Sequence, residues 1–213
     1  MTETVFIVDD DAAIRDALTQ LLETAGLRVE VHSEGPAFLE AYADDRPGCL
    51  LLDMSMPGMS GLEVQAALRA RGLAIPVVFL TGHGDVPLAV RSLQAGAVDF
   101  LEKPIQGATL LERVRRALRL DQDRRRTRGR THAIQQRHAR LSAREREVME
   151  LAVAGLTCKE SAQKLGISPR TIEVHRTHVM HKMGAANLAE LVNMAACCTA
   201  ESPAVPTPLR SST

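Results

Sequence analysis

Asp53 closes the apolar run Cys49-Leu50-Leu51-Leu52, which places a carboxylate at the end of what reads as a fully buried strand. Arg46-Pro47-Gly48 before the run and Pro57-Gly58 and Ser60-Gly61 beyond it mark turn and loop. A second run, Thr4-Val5-Phe6-Ile7-Val8, ends in Asp9-Asp10-Asp11. Ligands of an open parallel sheet bind at the carboxyl ends of its strands, so these carboxylates would share an acidic pocket. Packed together they raise one another's pKa unless a cation neutralises them, and Mg2+ is the hard, oxygen-seeking candidate. An ion held by Asp9 and Asp10 beside Asp53 would neutralise charge on an incoming phosphoryl group, with the Lys103 ammonium and the Thr81 hydroxyl as further donors. Asp53 would then be the nucleophile, forming an aspartyl phosphate. Each aspartate alone is equally well read as a solvated or helix-capping residue, Asp10 or Asp11 above all; the five-residue set favours a site.

The elements that must position this set alternate along the first half. Residues 12–23 carry apolar side chains at Ile14, Ala17, Leu18, Leu21 and Leu22, the spacing of an amphipathic helix, and Gly26 follows its end. Residues 27–31 form a short strand, and Ser33 is expected to cap a second helix with Pro36 in its first turn. After the Asp53 strand come a helix over about 62–68, a strand over 76–80 ending at Thr81-Gly82-His83-Gly84, and a fourth helix over 86–95 capped by Asp85. Residues 98–101 form the fifth strand, Lys103-Pro104 ends it, and a last helix runs from about 108 towards 120. Five strands alternating with helices predict a parallel sheet covered on both faces.

Composition excludes some classes. An apolar content of 45% suits a folded protein with a core. No apolar run approaches the roughly 18 residues of a membrane span, and the N-terminus lacks the pattern of a signal peptide, so a cytoplasmic location away from membranes is expected. Cys49, Cys158, Cys197 and Cys198 have neither zinc-site nor disulfide-framework spacing and are expected to be reduced thiols. The net charge of zero hides a division: residues 1–120 carry 17 acidic against 11 basic residues, and residues 121–213 carry 9 against 15. An acidic module is followed by one suited to an anionic partner.

The join is strongly basic: Arg113, Arg115, Arg116, Arg119, Arg124-Arg125-Arg126, Arg128 and Arg130, with few apolar residues after Leu120. It reads as a helical extension or a flexible linker whose arginines could touch phosphates but more often form a solvated face, a choice that salt dependence would test. From Leu141 four helix starts follow, at Ser142 with Glu145, Thr157 with Glu160, Ser168 with Thr171 after Pro169, and Asn187 with Glu190. Gly155, Gly166 and Gly184 punctuate the ends, and the short Leu165-Gly166-Ile167-Ser168 join suits a helix-turn-helix. On a wheel of the third helix, Ile172, Val179 and Met183 share the core face; Arg170, Val174, Thr177 and His181 point away, with Glu173 and His178 at the shoulders. Val174 and Thr177 could meet thymine methyls and Glu173 could accept from cytosine, while Lys159, Arg170, Thr171, Arg176 and Lys182 suit phosphates. Residues 199–213, with Pro203, Pro206 and Pro208 among Ser and Thr, are expected to be disordered.

Four stretches carry a resemblance. Val8-Asp9-Asp10, Asp53-Met54-Ser55-Met56-Pro57-Gly58, Thr81-Gly82-His83-Gly84-Asp85 and Phe100-Leu101-Glu102-Lys103-Pro104 closely resemble the receiver domain of two-component response regulators. The resemblance implies a five-stranded flavodoxin-like fold and makes Asp53 the phosphoacceptor. It makes Asp9, Asp10, Asp53 and the Ser55 backbone carbonyl the Mg2+ ligands. Thr81 and Lys103 become the phosphate-sensing pair, Phe100 the rotating aromatic switch, and the Lys103-Pro104 bond cis. Ser55 and His83 occupy places that in the family affect how fast water removes the phosphoryl group; His83 is read as a loop-surface residue. Leu141-Ser142-Ala143-Arg144-Glu145, Gly155-Leu156-Thr157-Cys158-Lys159-Glu160 and Leu165-Gly166-Ile167-Ser168-Pro169-Arg170-Thr171-Ile172 resemble the LuxR-type DNA-binding domain, an all-α four-helix helix-turn-helix unit. Cys158 stands where that family has Asn, and Ser161 where it has an aliphatic residue; each is expected to weaken its helix modestly, and Cys158 is read as an ordinary structural thiol.

Together the halves look like the FixJ-like subgroup, divided as a receiver over 1–121, a linker over 122–138, a helix-turn-helix domain over 139–198 and a tail over 199–213. The resemblance implies a regulator rather than an enzyme. A sensor histidine kinase supplies the phosphoryl group, phosphorylation drives homodimerisation through the face of the fourth helix and fifth strand, and the dimer binds double-stranded promoter DNA and acts on the transcription machinery. The rivals are a Mg2+-dependent phosphohydrolase, for which no separate acid or base is evident, and a DNA-binding protein whose receiver is only an interaction surface.

Overall fold

The computed structural model describes residues 3–43, 46–82 and 96–199, and the chain divides into two compact units at Arg125 and Arg126. In the first unit, strands β1 (Thr4–Val8), β2 (Arg28–His32), β3 (Gly48–Asp53), β4 (Val77–Thr81) and β5 (Asp99–Glu102) form one sheet. They run parallel in the order β2-β1-β3-β4-β5. Helices α1 (Ala12–Thr24), α2 (Gly35–Ala41) and α3 (Gly61–Ala70) lie between strands, and α4 (Gly107–Ala139) follows β5.

Alternate strand side chains leave the sheet on opposite faces. Phe6, Val8, Leu50, Leu52 and Phe79 meet Phe38 of α2 and Val64 and Leu68 of α3. Val5, Ile7, Leu51, Val78 and Leu80 meet Leu18 and Leu22 of α1 and Leu110, Val114 and Leu118 of α4. Because both faces are covered, the strands read as continuous apolar runs. Burying each such Leu or Phe contributes roughly 1.5–3 kcal/mol, which offsets the ordering of the strands.

Several boundaries differ from the sequence expectation for local reasons. Leu27 donates its N–H to Leu22, closing the turn after α1, so β2 starts one residue later. The second helix is capped by Glu34 and not by Ser33, and Glu34 makes no side-chain capping bond. Pro36 occupies the second helical position and has no N–H to offer a cap, so the sequence signal for one was misleading. Asp11, by contrast, caps α1 by accepting from Ala13 and Ile14. The helix expected over 86–95, its cap Asp85, His83 and the tail 200–213 lie outside the described residues.

The helix that begins at Gly107 continues to Ala139, so the basic stretch is the helical extension and not the flexible linker, its other reading. Its extension is rich in Arg and Gln, good helix formers, and a buried carboxylate fastens it. Asp121, 1% exposed, accepts from the Gly48 N–H at 2.9 Å and from Arg125 Nε at 2.6 Å. Arg125 donates to the Arg46 carbonyl and Arg124 to that of Ala74. Gly48 itself has no room for a side chain, since a Cβ there would lie 1.9 Å from the Thr4 carbonyl oxygen of the paired strand. Gly48→Ala is therefore expected to destabilise the first unit by about 1–3 kcal/mol; an unchanged denaturant midpoint for its unfolding would contradict this.

The second unit contains α5 (Ala143–Val153), α6 (Cys158–Leu165), α7 (Pro169–Met183) and α8 (Leu188–Thr199). Reciprocal capping boxes start α5 (Ser142 and Glu145) and α6 (Thr157 and Glu160), and Ser168 caps α7. At α8, Asn187 accepts from Glu190 N, but the Glu190 carboxylate reaches the Ala186 N–H and not that of Asn187. Gly166, with φ 67° and ψ 31°, turns the chain between α6 and α7 in the left-handed region that glycine tolerates. Ile134, Leu141, Met149, Val179, Met183, Leu191 and Met194 form the main core, and Val148, Ala162 and Ile172 a smaller one.

Glu145 does more than cap α5. Its carboxylate accepts from Ser142 N at 2.7 Å and from Lys182 Nζ of α7 at 2.6 Å, and its side chain is only 5% exposed. The Lys182 hydrogen bond, then that of Ser142, holds its pKa well below the usual carboxylate range, at about 2. A depressed carboxyl pKa contributes stability that is complete above the unfolded value of 4.5 and is lost as pH falls through the folded value. The second unit should accordingly weaken as pH drops from 4.5 towards 2. A carboxyl-carbon NMR titration checks this: Glu145 should titrate near the bottom of that window, and a midpoint near 4.5 would refute the pairing.

Candidate functional site

Parallel pairing brings the strand ends into line. Val8 pairs with Leu52, Asp53 with Leu80 and Thr81 with Glu102, so Asp9, Asp53, Thr81 and Lys103 emerge at one edge of the sheet. Lys103 Nζ donates to Asp9 Oδ2 and to Asp53 Oδ1, both at 2.7 Å. The remaining carboxylate oxygens are held by backbone: Asp9 Oδ1 by the Asp11 N–H at 2.9 Å, and Asp53 Oδ2 by the Ser55 N–H at 3.0 Å. Arg15 Nη1 donates to the Asp9 carbonyl oxygen at 2.7 Å. The sequence reading missed Arg15, whose only signal is its position one turn into α1.

Close packing fixes the Asp53 end of the strand. A Cβ on Gly61 would lie 2.3 Å from the Asp53 carbonyl oxygen, so only glycine allows α3 to begin this close to β3. The Lys103 N–H donates to the Thr81 carbonyl at 2.7 Å, and the Lys103–Pro104 peptide is cis. Thr81 and Phe100 are half-buried, with Phe100 against the core that contains Phe79; Asp10 and Ser55 are exposed. The structure thus joins Asp9, Asp53 and Lys103 directly, while Asp10 stands beside them on the surface. Among the described residues no three His, Cys, Asp or Glu side chains are gathered as a ready metal cage.

Burial pushes the Asp53 carboxyl up; the hydrogen bond and charge of Lys103 oppose the rise, the charge of Asp9 adds to it, and the Ser55 N–H lowers it. For Lys103, burial disfavours the ammonium, but hydrogen bonds to Asp53 and Asp9 and their charges outweigh it, and its pKa is raised. Two carboxylates sharing one ammonium retain a net negative charge, and exposed Asp10 adds another. This oxygen-rich, negatively charged edge fits a hard divalent cation, which typically takes one or two carboxylates and fills its remaining positions with water or phosphate oxygens.

In the second unit, α7 buries Ile172, Val179 and Met183 and exposes Arg170, Thr171, Glu173, Val174, Thr177, His178 and His181. Val174 is 49% exposed, an apolar side chain among polar ones on that face. Lys159, the second residue of α6, is also exposed. Two of the expected phosphate contacts already have partners within the unit. Lys182 is paired with Glu145, and half-buried Arg176 places Nη1 3.5 Å from Cys158 Sγ. His178 Nδ1 lies 4.0 Å from Glu145. Thr157, not Cys158, caps α6, so the cysteine costs that cap nothing; Ser161 is buried at 2% exposure. All four cysteines are free thiols, and burial pushes that of Cys49 far up, leaving it unreactive.

No helix among the described residues is long and apolar enough to cross a membrane. Residues 5–115 match the response regulator receiver domain, and residues 139–195 match the bacterial regulatory proteins of the luxR family. The transcriptional regulatory protein FixJ of Azorhizobium caulinodans is 48% identical over 90% of both chains. The response regulator protein TodT of Pseudomonas putida is 40% identical over 89% of this chain and 84% of its own. The solved structure of the response regulator StyR, 42% identical, covers 92% of this chain and 99% of that one with a TM-score of 0.84. With a parallel α/β receiver and a helix-turn-helix unit in one chain, the protein belongs to the two-component response regulators that act as transcription factors through a LuxR-type DNA-binding domain.

Proposed function

We propose that phosphorylation of Asp53 by a sensor histidine kinase controls DNA binding by the second unit. The reading rests on one observation above all: Asp53, at the end of a buried strand, shares the Lys103 ammonium with Asp9. An Asp53 carboxylate oxygen attacks the phosphorus of the kinase phosphohistidine, the P–N bond breaks, and the imidazole leaves. Lys103 then has a phosphoryl oxygen to pair with in place of the carboxylate oxygen it now holds, and the Thr81 hydroxyl supplies a second donor. Asp9, Asp10, Asp53 and the Ser55 carbonyl would hold Mg2+, which when bound would neutralise charge on the transferring group.

Movement of Thr81 and Phe100 changes the face to which β5 belongs, and homodimerisation through that face pairs two DNA-binding units. The other element assigned to that face, over residues 86–95, lies outside the described residues. The receiver occupies residues 1–121, the connecting segment 122–138 and the DNA-binding domain 139–198. In that domain Glu173, Val174, Thr177, His178 and His181 meet base edges, while Lys159, Arg170, Thr171, Arg176 and Lys182 meet phosphates. The dimer reads a pseudopalindromic promoter site and acts on the transcription machinery from the cytoplasm.

The test is DNA affinity and molecular mass with and without a small-molecule phosphodonor and Mg2+, for the wild type and Asp53→Asn, on genomic fragments selected by the wild type. The donor should produce a dimer and bind DNA at least about tenfold more tightly, a shift of about 1.4 kcal/mol, and Asp53→Asn should abolish both changes. Equal binding under every condition would remove phosphorylation as the control.

A further inference from the structure

The basic stretch between Asp123 and Glu145 contains eight arginines and no acidic residue. The sequence favours a solvated face over phosphate contact and does not say which arginines would make such a contact. The structure orients part of the stretch. Residues 126–139 of α4 belong to the second unit, and there Ile134 is buried at 3% exposure among Val179 and Met183 of α7 and Leu191 and Met194 of α8, which fixes one side of this part of the helix within that unit's own core. At about 100° per residue, Arg130, Arg137 and Arg126 lie about 40°, 60° and 80° to one side of Ile134, whereas Arg128 lies about 120° to the other. The direction of the first flank is known, because Arg137 Nη1 donates to the Met183 carbonyl oxygen at 3.0 Å, at the C-terminal end of α7. Arg126 and Arg130 are exposed, and among the described residues neither meets a carboxylate.

We infer that Arg126 and Arg130 form a phosphate-binding row that grips the DNA backbone on the flank of α4 that Arg137 ties to the C-terminal end of α7, about 16 Å and about 10 Å along the helix from Arg137. The inference rests on α7 being the helix that enters the major groove. In helix-turn-helix proteins the N-terminal part of the recognition helix meets the bases, and in the homeodomain variant the C-terminal end of that helix meets the backbone. Uncompensated guanidiniums that continue this flank along α4 are placed for successive phosphates of the backbone, which they can bind bidentately, and carry no base specificity. An acidic protein surface would satisfy the charge equally well, but the unit that carries the row already binds an anionic polymer, so DNA is the occupant argued for.

The experiment measures DNA affinity of the full-length chain across a salt series, on a duplex selected by the wild type and on a scrambled duplex. Arg126→Gln and Arg130→Gln keep a polar, helix-compatible side chain at exposed positions, and far-UV circular dichroism verifies the fold. Each should lower the slope of log K against log salt by about 0.9 and weaken both duplexes by the same factor, leaving the specificity ratio unchanged. Arg128→Gln removes the same charge from the opposite flank and should leave the slope at the wild-type value. Wild-type slopes for Arg126→Gln and Arg130→Gln would overturn the inference, as would an equal loss with Arg128→Gln, which would reflect net charge alone. A wild-type chain that binds tightly while Val174→Ala and Thr177→Ala leave its specificity untouched would instead remove α7 as the recognition helix, and the inference with it.

Discussion

One ammonium between two buried carboxylates is the constraint on which the first unit depends. Asp9 is fully buried and Asp53 nearly so, and Lys103 touches both. Withdrawing one partner from a buried ion pair costs about 3–5 kcal/mol, because the charge left behind has lost its solvent and its counterion. Such a cluster holds only if three strand ends meet within hydrogen-bonding distance. The parallel register of β1, β3, β4 and β5 achieves this, and the apolar cover on both faces keeps the register from slipping. The cluster is also incomplete as electrostatics, since one positive charge serves two negative ones. The imbalance that makes it a costly structural ion pair leaves the edge with a net negative charge, which suits a further hard cation.

What was legible in the sequence follows from the range of each interaction. Strands β1 and β3 were readable because burial on both faces leaves an unbroken apolar run, and the capping boxes of α5 and α6 because their partners stand three residues apart. Carboxylates at strand ends pointed to Asp9 and Asp53 through topology alone. The length of α4 was readable only as a choice between a helical extension and a flexible linker. Hydrophobic periodicity fades after Leu120, and what carries the helix onward is a polar fastening, Asp121 to Gly48, between residues 73 positions apart. Ser33 failed as a cap because Pro36 had removed the N–H it would have served. The Lys103 bridge was legible as an expected gathering of charges, but its partition between Asp9 and Asp53 needed coordinates.

The second unit uses its carboxylates differently. Glu145 stands on α5, caps it, and reaches across 37 residues to Lys182 near the end of α7. The local half of that role was evident from Ser142 and Glu145 alone; the distant half ties the first helix of the unit to the one that carries the recognition face. Gly166 and Ser168 set the entry of α7, and the Glu145 pair holds its exit. A helix fixed at both ends keeps its exposed row, Val174 and Thr177 among it, in one orientation.

The same pair changes the weight of Lys182 as a DNA contact. Counterion release rewards a cation whose charge is not already compensated inside the fold, because only such a cation displaces ions from the duplex without giving up a partner. Lys182 sits 2.6 Å from a carboxylate that stays ionised down to a pH of about 2. A phosphate that engages it must share the ammonium with Glu145 or draw it away from the cap of α5. Arg170 is exposed on the first turn of α7 and, among the described residues, faces no carboxylate. Although both are basic residues of one helix, the charge of Arg170 is uncompensated among the described residues, whereas that of Lys182 is committed first to the helix that presents it.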